Sequence, residues 1–210
     1  MEATVIISGG ILLGCILALS WFAGTDAPYI PTKMVRVRKV LKLAGLKKGD
    51  KFWELGSGDG RVVIEAAKMG ASSCGIEQSW IRVLISRWKA KNLSNAYFVH
   101  EDIFSFLQSP RKHLRGEVLA HHQQNTSDLP AGKAGVDIKN ADIVFIFLLP
   151  KGIEKLEPIL KRNLKRGARV ITQTFHFKSW KPYKKILITD KNIPNAPLGK
   201  NKLEGDFWIY

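Results

Sequence analysis

The stretch FWELGSGDGRVV, residues 52–63, places three glycines within the five positions 56–60, between two apolar runs. Glycine destabilises a helix or strand interior by roughly 0.5–1 kcal/mol relative to alanine. Three together mark a turn that something approaches closely or that bends into conformations side chains resist. KFWEL (Lys51–Leu55) reads as a strand, and Gly60–Met69 as a helix closed by Gly70. A strand, a glycine turn and a helix form half of a crossover, and the next strand then lies parallel to the first.

The rest of the chain continues this alternation. Ser72–Glu77 (SSCGIE) is the second strand, Ser79–Leu93 a helix with Ile81, Leu84, Ile85 and Trp88 on one face, and Ala96–His100 (AYFVH) the third strand. Ala141–Phe147 has the continuous apolar run of a strand buried on both faces. Gly152–Arg166 reads as a helix, Ala168–Phe175 as a strand, and KKILIT and GDFWIY supply two more strands at the end. Seven strands alternating with helices imply an α/β three-layer sandwich around a mainly parallel sheet. Met34, Val37, Leu41 and Ala44 recur at helical spacing, so a further amphipathic helix precedes the first strand. Residues 109–136 have no period and many polar and turn residues, and read as an insertion loop. His113, His121 and His122 within it match no metal-ligand spacing, so no metal site is expected.

No charge occurs between Glu2 and Asp26, and Val5–Phe22 is apolar over close to the ~20 residues that cross a bilayer as a helix. Residues 1–25 are therefore expected to form an N-terminal transmembrane anchor, and 26–210 the α/β domain. A cleaved signal peptide is the rival, but it would have a basic leading segment where this chain has only Glu2. Lys33, Arg36, Arg38, Lys39, Lys42, Lys47, Lys48 and Lys51 then face a single acid, Asp50. By the positive-inside rule this describes a single-pass membrane protein with its domain on the cytoplasmic side, against an anionic membrane surface. The whole chain has 33 Lys and Arg against 18 Asp and Glu, a net +15, which favours anionic partners in general. Cys15 and Cys74 form neither a disulfide framework nor a zinc motif.

Backbone amides of the turn Gly56-Ser57-Gly58-Asp59-Gly60 at a helix N-terminus suit a negative or electron-rich group, and the glycines let a ligand lie against it. The dinucleotide fingerprint sets its third glycine one place later. Glu54, before the first glycine, organises the loop and favours a cationic ligand, where a pyrophosphate would be repelled. Glu77, ending the second strand, is placed to accept hydrogen bonds from vicinal ribose hydroxyls, or else to cap the next helix. Asp102, after the third strand, can reach the exocyclic amine of an adenine, with Glu101 the competing residue.

Together, ELGSGDGR, Glu77 and the Asp102 loop resemble the successive motifs of class I S-adenosylmethionine (SAM) dependent methyltransferases. PYIPTK (Pro28–Lys33), FLLP (Phe147–Pro150), KRGARVITQTFHF, Trp180 and Pro182 resemble one subgroup more closely. It contains archaeal protein-lysine methyltransferases and related mitochondrial membrane-anchored ones. The resemblance implies the Rossmann-like fold of that class, SAM as cofactor and a lysine side chain of a protein as acceptor. It also implies that Tyr29, Pro31 and Thr32 fold over the cofactor. Phe147, Leu148 and Pro150 would line the acceptor entrance. The insertion after Gln108, and Lys33 where relatives often carry a small residue, depart from the pattern.

Methyl transfer from a sulfonium needs alignment more than acid, base or metal. A lysine amine must be neutral to attack, at roughly 4–5 kcal/mol from a reference pKa near 10.4. A dry entrance beside a positive charge lowers that pKa. FLLP with Phe175, Phe177 and Trp180 is apolar in that way, although these aromatics also suit plain core packing. His176 reads either as a proton acceptor or as a structural hydrogen-bonding group. A lipid or isoprenoid acceptor, an RNA acceptor and a non-catalytic Rossmann binding module are the other readings. The sequence lacks the [DN]PP[YF] motif of enzymes that methylate a flipped base, which argues against nucleic acid.

Overall fold

The computed structural model describes residues 2–22, 32–108, 138–188 and 206–210. In chain order the elements are α1 (Glu2–Phe22), α2 (Met34–Leu43), β1 (Lys51–Leu55), α3 (Arg61–Lys68), β2 (Ser72–Glu77), α4 (Trp80–Lys89), β3 (Ala96–His100) and α5 (Ile103–Gln108). They continue as β4 (Ile143–Ile146), α6 (Pro150–Asn163), β5 (Arg169–Gln173), β6 (Lys184–Ile186) and β7 (Phe207–Ile209). One seven-stranded sheet has the order β3-β2-β1-β4-β5-β7-β6. All pairings from β3 through β5 are parallel, and β7 runs antiparallel between β5 and β6.

Period-two alternation explains the layers. On β1, Phe52 faces one side with Ile143, Phe145 and Ile171, against Val37, Val40 and Leu41 of α2 and Val62 of α3. Trp53 and Leu55 face the other side with Ile76, Val144 and Val170, against Phe106 of α5 and Leu156 and Leu160 of α6. A strand buried on both faces has no polar side to present, hence the unbroken apolar text of β4. A smaller cluster of Val63, Ala67, Val83, Ala96 and Phe98 seats α3 and α4 over β3.

The expected strands are present, the terminal pair running antiparallel, and helix limits differ in detail. The sixth helix begins at Pro150, not at Gly152, because proline suits the first helical position, whose N–H has no intrahelical partner. α4 ends at Lys89, with Ala90 as its C-cap, short of Leu93. The short helix α5 and a turn of 3-10 helix at Ile138–Asn140 were not foreseen. The expected insertion at 109–136, Tyr29, Pro31 and the three loop histidines lie outside the described residues.

α1 is a 21-residue helix that rests against α4, with Val5, Ile6 and Ile7 exposed. Its side chains are described only over 4–17. Among the described residues no helix is long and apolar enough to cross a membrane, so the expected transmembrane helix is not supported by the fold.

Candidate active site

Strand order reverses between β1 and β4, and open α/β sheets bind ligands at such a point, in the crevice at the C-terminal ends of their parallel strands. The glycine turn lies at that point. Gly56, Gly58 and Gly60 have φ of +85°, +54° and +75°, all left-handed. The turn is tied to β2, since the N–H groups of Gly56 and Ser57 both donate to the Ile76 carbonyl at 2.9 Å. A Cβ on Gly60 would sit 2.7 Å from Phe98 and Ser86, whereas one on Gly56 would meet Leu148 at 3.2 Å. The third glycine therefore serves close packing of α3 on α4 and β3. The first faces the segment after β4.

Glu77 is buried and braces the turn. Its Oε2 accepts from Gly58 N–H at 2.9 Å and its Oε1 from Ser79 N–H at 3.0 Å, with the Arg82 guanidinium 3.6 Å away. The helix-capping and ligand-binding readings are thus not exclusive, because each carboxylate oxygen keeps a second lone pair. Asp102 accepts from Ser105 N–H at 2.8 Å through Oδ1, capping α5.

Glu54 is fully inside. Burial, then the charges of Asp59 and Glu77, push its carboxyl well above the ordinary range. Its Oε2 has no hydrogen-bond partner among the described residues, and neither do the buried hydroxyls of Ser57 and Ser79. Buried polar atoms are nearly always satisfied in folded proteins. Three such atoms around one left-handed turn, beside two carboxyl groups, fit a ligand that brings both hydrogen-bond donors and positive charge.

Sequence reasoning missed the frame around this turn. Asp59 takes both Arg61 (2.8 and 2.9 Å) and Lys89 (2.6 Å), joining the start of α3 to the end of α4. Burial pushes the Asp59 carboxyl up, but the hydrogen bonds and charges of Arg61 and Lys89 overcome this and hold it well below its ordinary range. Thr32, buried, donates its hydroxyl to Gln173 Oε1 at 2.8 Å, across 141 residues. Arg61 also reaches the Thr32 carbonyl, at 3.5 Å. The segment before α2 is thereby fastened both to the glycine turn and to the end of β5. Asp59 and Arg61 could have been noticed as charges inside the glycine motif. Nothing local in the sequence pointed to Lys89 or Gln173.

Of the acceptor-side residues, Phe147 packs on the α2–α3 layer, Leu148 on the α5–α6 layer, and Pro150 opens α6. His176 is exposed; its Nδ1 lies 2.9 Å from the Phe177 carbonyl and its ring 5.3 Å from that of Trp208. Phe177, Trp180 and Tyr210 form a ring cluster, with Phe177 fully buried, so the packing reading holds for Phe177. Among the described residues no cluster of His, Cys, Asp or Glu could hold a metal ion.

No family model matches the chain. It is 29% identical over 171 residues to a protein-lysine N-methyltransferase of Saccharolobus islandicus (strain REY15A), covering 79% of this chain and 88% of that one. Against a lysine N-methyltransferase of Xenopus laevis that is named for ATP synthase, it is 32% identical over 155 residues, 74% of this chain and 56% of the relative. This chain thus matches little more than half the length of the Xenopus protein. A crystal structure of an RNA methyltransferase from Salinibacter ruber with S-adenosyl-L-homocysteine superposes with a TM-score of 0.60 at 26% identity, covering 86% and 92% of the two chains. The chain is a class I SAM-dependent methyltransferase. It resembles the protein-lysine N-methyltransferases, and its cofactor is SAM. The buried unpartnered acceptors at the turn fit a sulfonium amino acid joined to a nucleoside.

Proposed function

We propose that this methyltransferase transfers a methyl group from SAM to a lysine side chain of a protein, working at a membrane surface. The observation that carries the acceptor reading is Leu148, which lies against Gly56 so closely that a Cβ there would meet it at 3.2 Å. The apolar segment after β4 thus borders the cofactor turn directly. Its neighbours Phe147, Leu149 and Pro150 carry no charge.

In this reading Tyr29 and Thr32 close over the cofactor. Glu54, Gly56, Ser57 and Gly58 hold its amino-acid part, with Gly60 packed behind the turn, while Glu77 holds the ribose and Asp102 the adenine. Bound there, SAM supplies a methyl group on a good leaving group. Phe147, Leu148 and Pro150 exclude water from the acceptor amine and favour its neutral form by desolvation. The neutral amine would take the methyl from the sulfonium, whose sulfur–carbon bond would break, and water or His176 would take the proton it sheds. The names of the two lysine-methylating relatives support the acceptor class. A second reading, an RNA acceptor, draws on the Salinibacter ruber neighbour and on the net charge of +15.

For the membrane, the support is α1 with its exposed Val5, Ile6 and Ile7, followed by the lysine- and arginine-rich segment at 33–51. Residues 1–25 then anchor the chain once, and 26–210 form the domain on the cytoplasmic side. Protease protection in sealed vesicles checks the orientation; a C-terminus shielded on the far side would reverse it.

The acceptor is tested with methyl-labelled SAM and a membrane extract, followed by protease, nuclease or organic solvent. Label released by protease as methyl-lysine is the expected outcome. Label lost to nuclease moves the enzyme to RNA, and label in the solvent phase moves it to a lipid. For the cofactor site, Glu77→Ala should abolish SAM binding by calorimetry, and unchanged affinity would refute the site.

A further inference from the structure

Among the described residues, the outward face of α4 has no partner in the domain. Trp80, Leu84 and Trp88, spaced four residues apart, form one stripe ~12 Å long and are 54%, 58% and 68% exposed. Arg82, Val83 and Ser86, on the opposite side, are buried against the domain. A helix normally turns its large apolar residues inward. Here two tryptophans and a leucine face solvent on a helix that has a well-packed inner face as well.

We propose that this stripe is a second membrane contact, seated in the interfacial layer of an anionic phospholipid bilayer. The inference rests on the reading that the enzyme works at a membrane. Three observations choose lipid as the occupant. First, α1 touches α4 yet leaves all three residues exposed, so α1 is not their cover. Second, there is no acid between Glu77 and Glu101, and Lys89 and Lys91 follow the stripe, while Arg87 donates to the Phe98 carbonyl at 2.9 Å. Lys89 is held by Asp59, and Lys91 lies 5.9 Å over the Trp88 ring, which leaves its ammonium at the rim of the stripe. Third, the residue types match. Tryptophan rings favour the headgroup boundary, lysine stems extend towards phosphates, and leucine enters the acyl layer. Base stacking by RNA would use the two rings but gives no role to Leu84.

The consequence is orientation. Trp80 follows Glu77 by three residues, so the stripe begins at the rim of the cofactor crevice. A domain lying on α4 holds that crevice beside the bilayer surface, and selects acceptor lysines within a few residues of the membrane.

The test uses the full chain bound to phosphatidylcholine–phosphatidylglycerol vesicles whose acyl chains carry bromine near the glycerol end. Tryptophan fluorescence should be quenched in the wild-type protein. Leu84→Glu, which keeps both fluorophores, should lose most of the part of the signal that disappears in the Trp80→Phe/Trp88→Phe variant. Unchanged SAM binding by calorimetry confirms that L84E is folded. Alkaline extraction of the vesicles separates this proposal from the anchor. A chain retained after extraction but equally quenched with and without L84E overturns the stripe and keeps the anchor. A chain released by extraction, yet quenched through Trp80 and Trp88 at neutral pH, overturns the anchor and keeps the stripe. Concentration-dependent crosslinks between copies through Leu84→Cys, or shielding of the two tryptophans by RNA and not by vesicles, would assign the face to another partner and overturn the proposal.

Discussion

Gly60 and Gly167 have nearly the same backbone, φ +75° and +85°, but different surroundings. A Cβ on Gly60 would lie 2.7 Å from Phe98 and Ser86, and one on Gly167 would meet nothing within 4 Å. Gly60→Ala therefore adds a clash to the left-handed strain, and should lower stability by about 2–3 kcal/mol against ~1 kcal/mol for Gly167→Ala. Thermal melts of the two variants check the ordering. Glu54 offers a pH signature. Its folded-state pKa lies well above the ordinary value because burial disfavours the charge. The neutral acid's contribution is thus fully present below the unfolded pKa, ~4.3, and declines by roughly 1.4 kcal/mol per pH unit until the folded pKa is passed. Glu54→Gln removes that slope. In ligand-free protein, its urea midpoint relative to wild type should rise with pH from about 4 upwards, and a flat difference would contradict a neutral Glu54.

Between elements, the decisive contacts join parts far apart in sequence. Asp59 precedes α3, where a negative charge suits the helix dipole and offsets the unfavourable position of Arg61 at the first helical residue. It also takes Lys89 from the last turn of α4, where a cation suits the dipole. Asp59→Asn should cost about 1–2 kcal/mol at neutral pH, given that both cations are about a third exposed. The Asp59 pKa is depressed, so its contribution is present above the unfolded carboxylate value and is lost as pH falls. The gap between D59N and wild type should close below pH 4 in urea titrations. Thr32 and Gln173 form the other tie. Thr32→Val leaves the buried Gln173 oxygen without its donor and should weaken SAM binding roughly tenfold, the scale of one lost buried hydrogen bond. Removing both partners with T32V/Q173L should recover part of that loss in a calorimetric double-mutant cycle. No recovery would mean that the two side chains act separately.

For the whole molecule, ligand binding and folding are linked, because the proposed site is assembled from β1, β2, β3 and the segment before α2. SAM at about 100 times its dissociation constant should stabilise the fold by about 2.7 kcal/mol, or roughly 5–10 °C in a domain of this size, and should do nothing for a Glu77→Ala protein. The strands β1, β2 and β3, the glycine turn, Glu54 and Glu77 were legible in the chain because each depends on local text: apolar runs, left-handed glycines and strand-terminal acids. Pro150 as a helix start was missed, the helix having been read from Gly152. Trp80, Leu84 and Trp88 were legible only as helical spacing, and Leu84 and Trp88 were assigned to a face with Ile81 and Ile85. Periodicity gives a stripe, but which side of it meets the sheet depends on where the neighbouring elements pack. The alternating text by itself determined a mainly parallel α/β sheet with a bare turn after its first strand, since hydrophobic period and glycine geometry act within a few residues. Only the tertiary structure decided that Glu77 braces Gly58, that Asp59 clamps two helices, that Thr32 meets Gln173, and that α4 leaves two tryptophans outside. Those contacts join residues up to 141 positions apart, and local sequence carries no term for them.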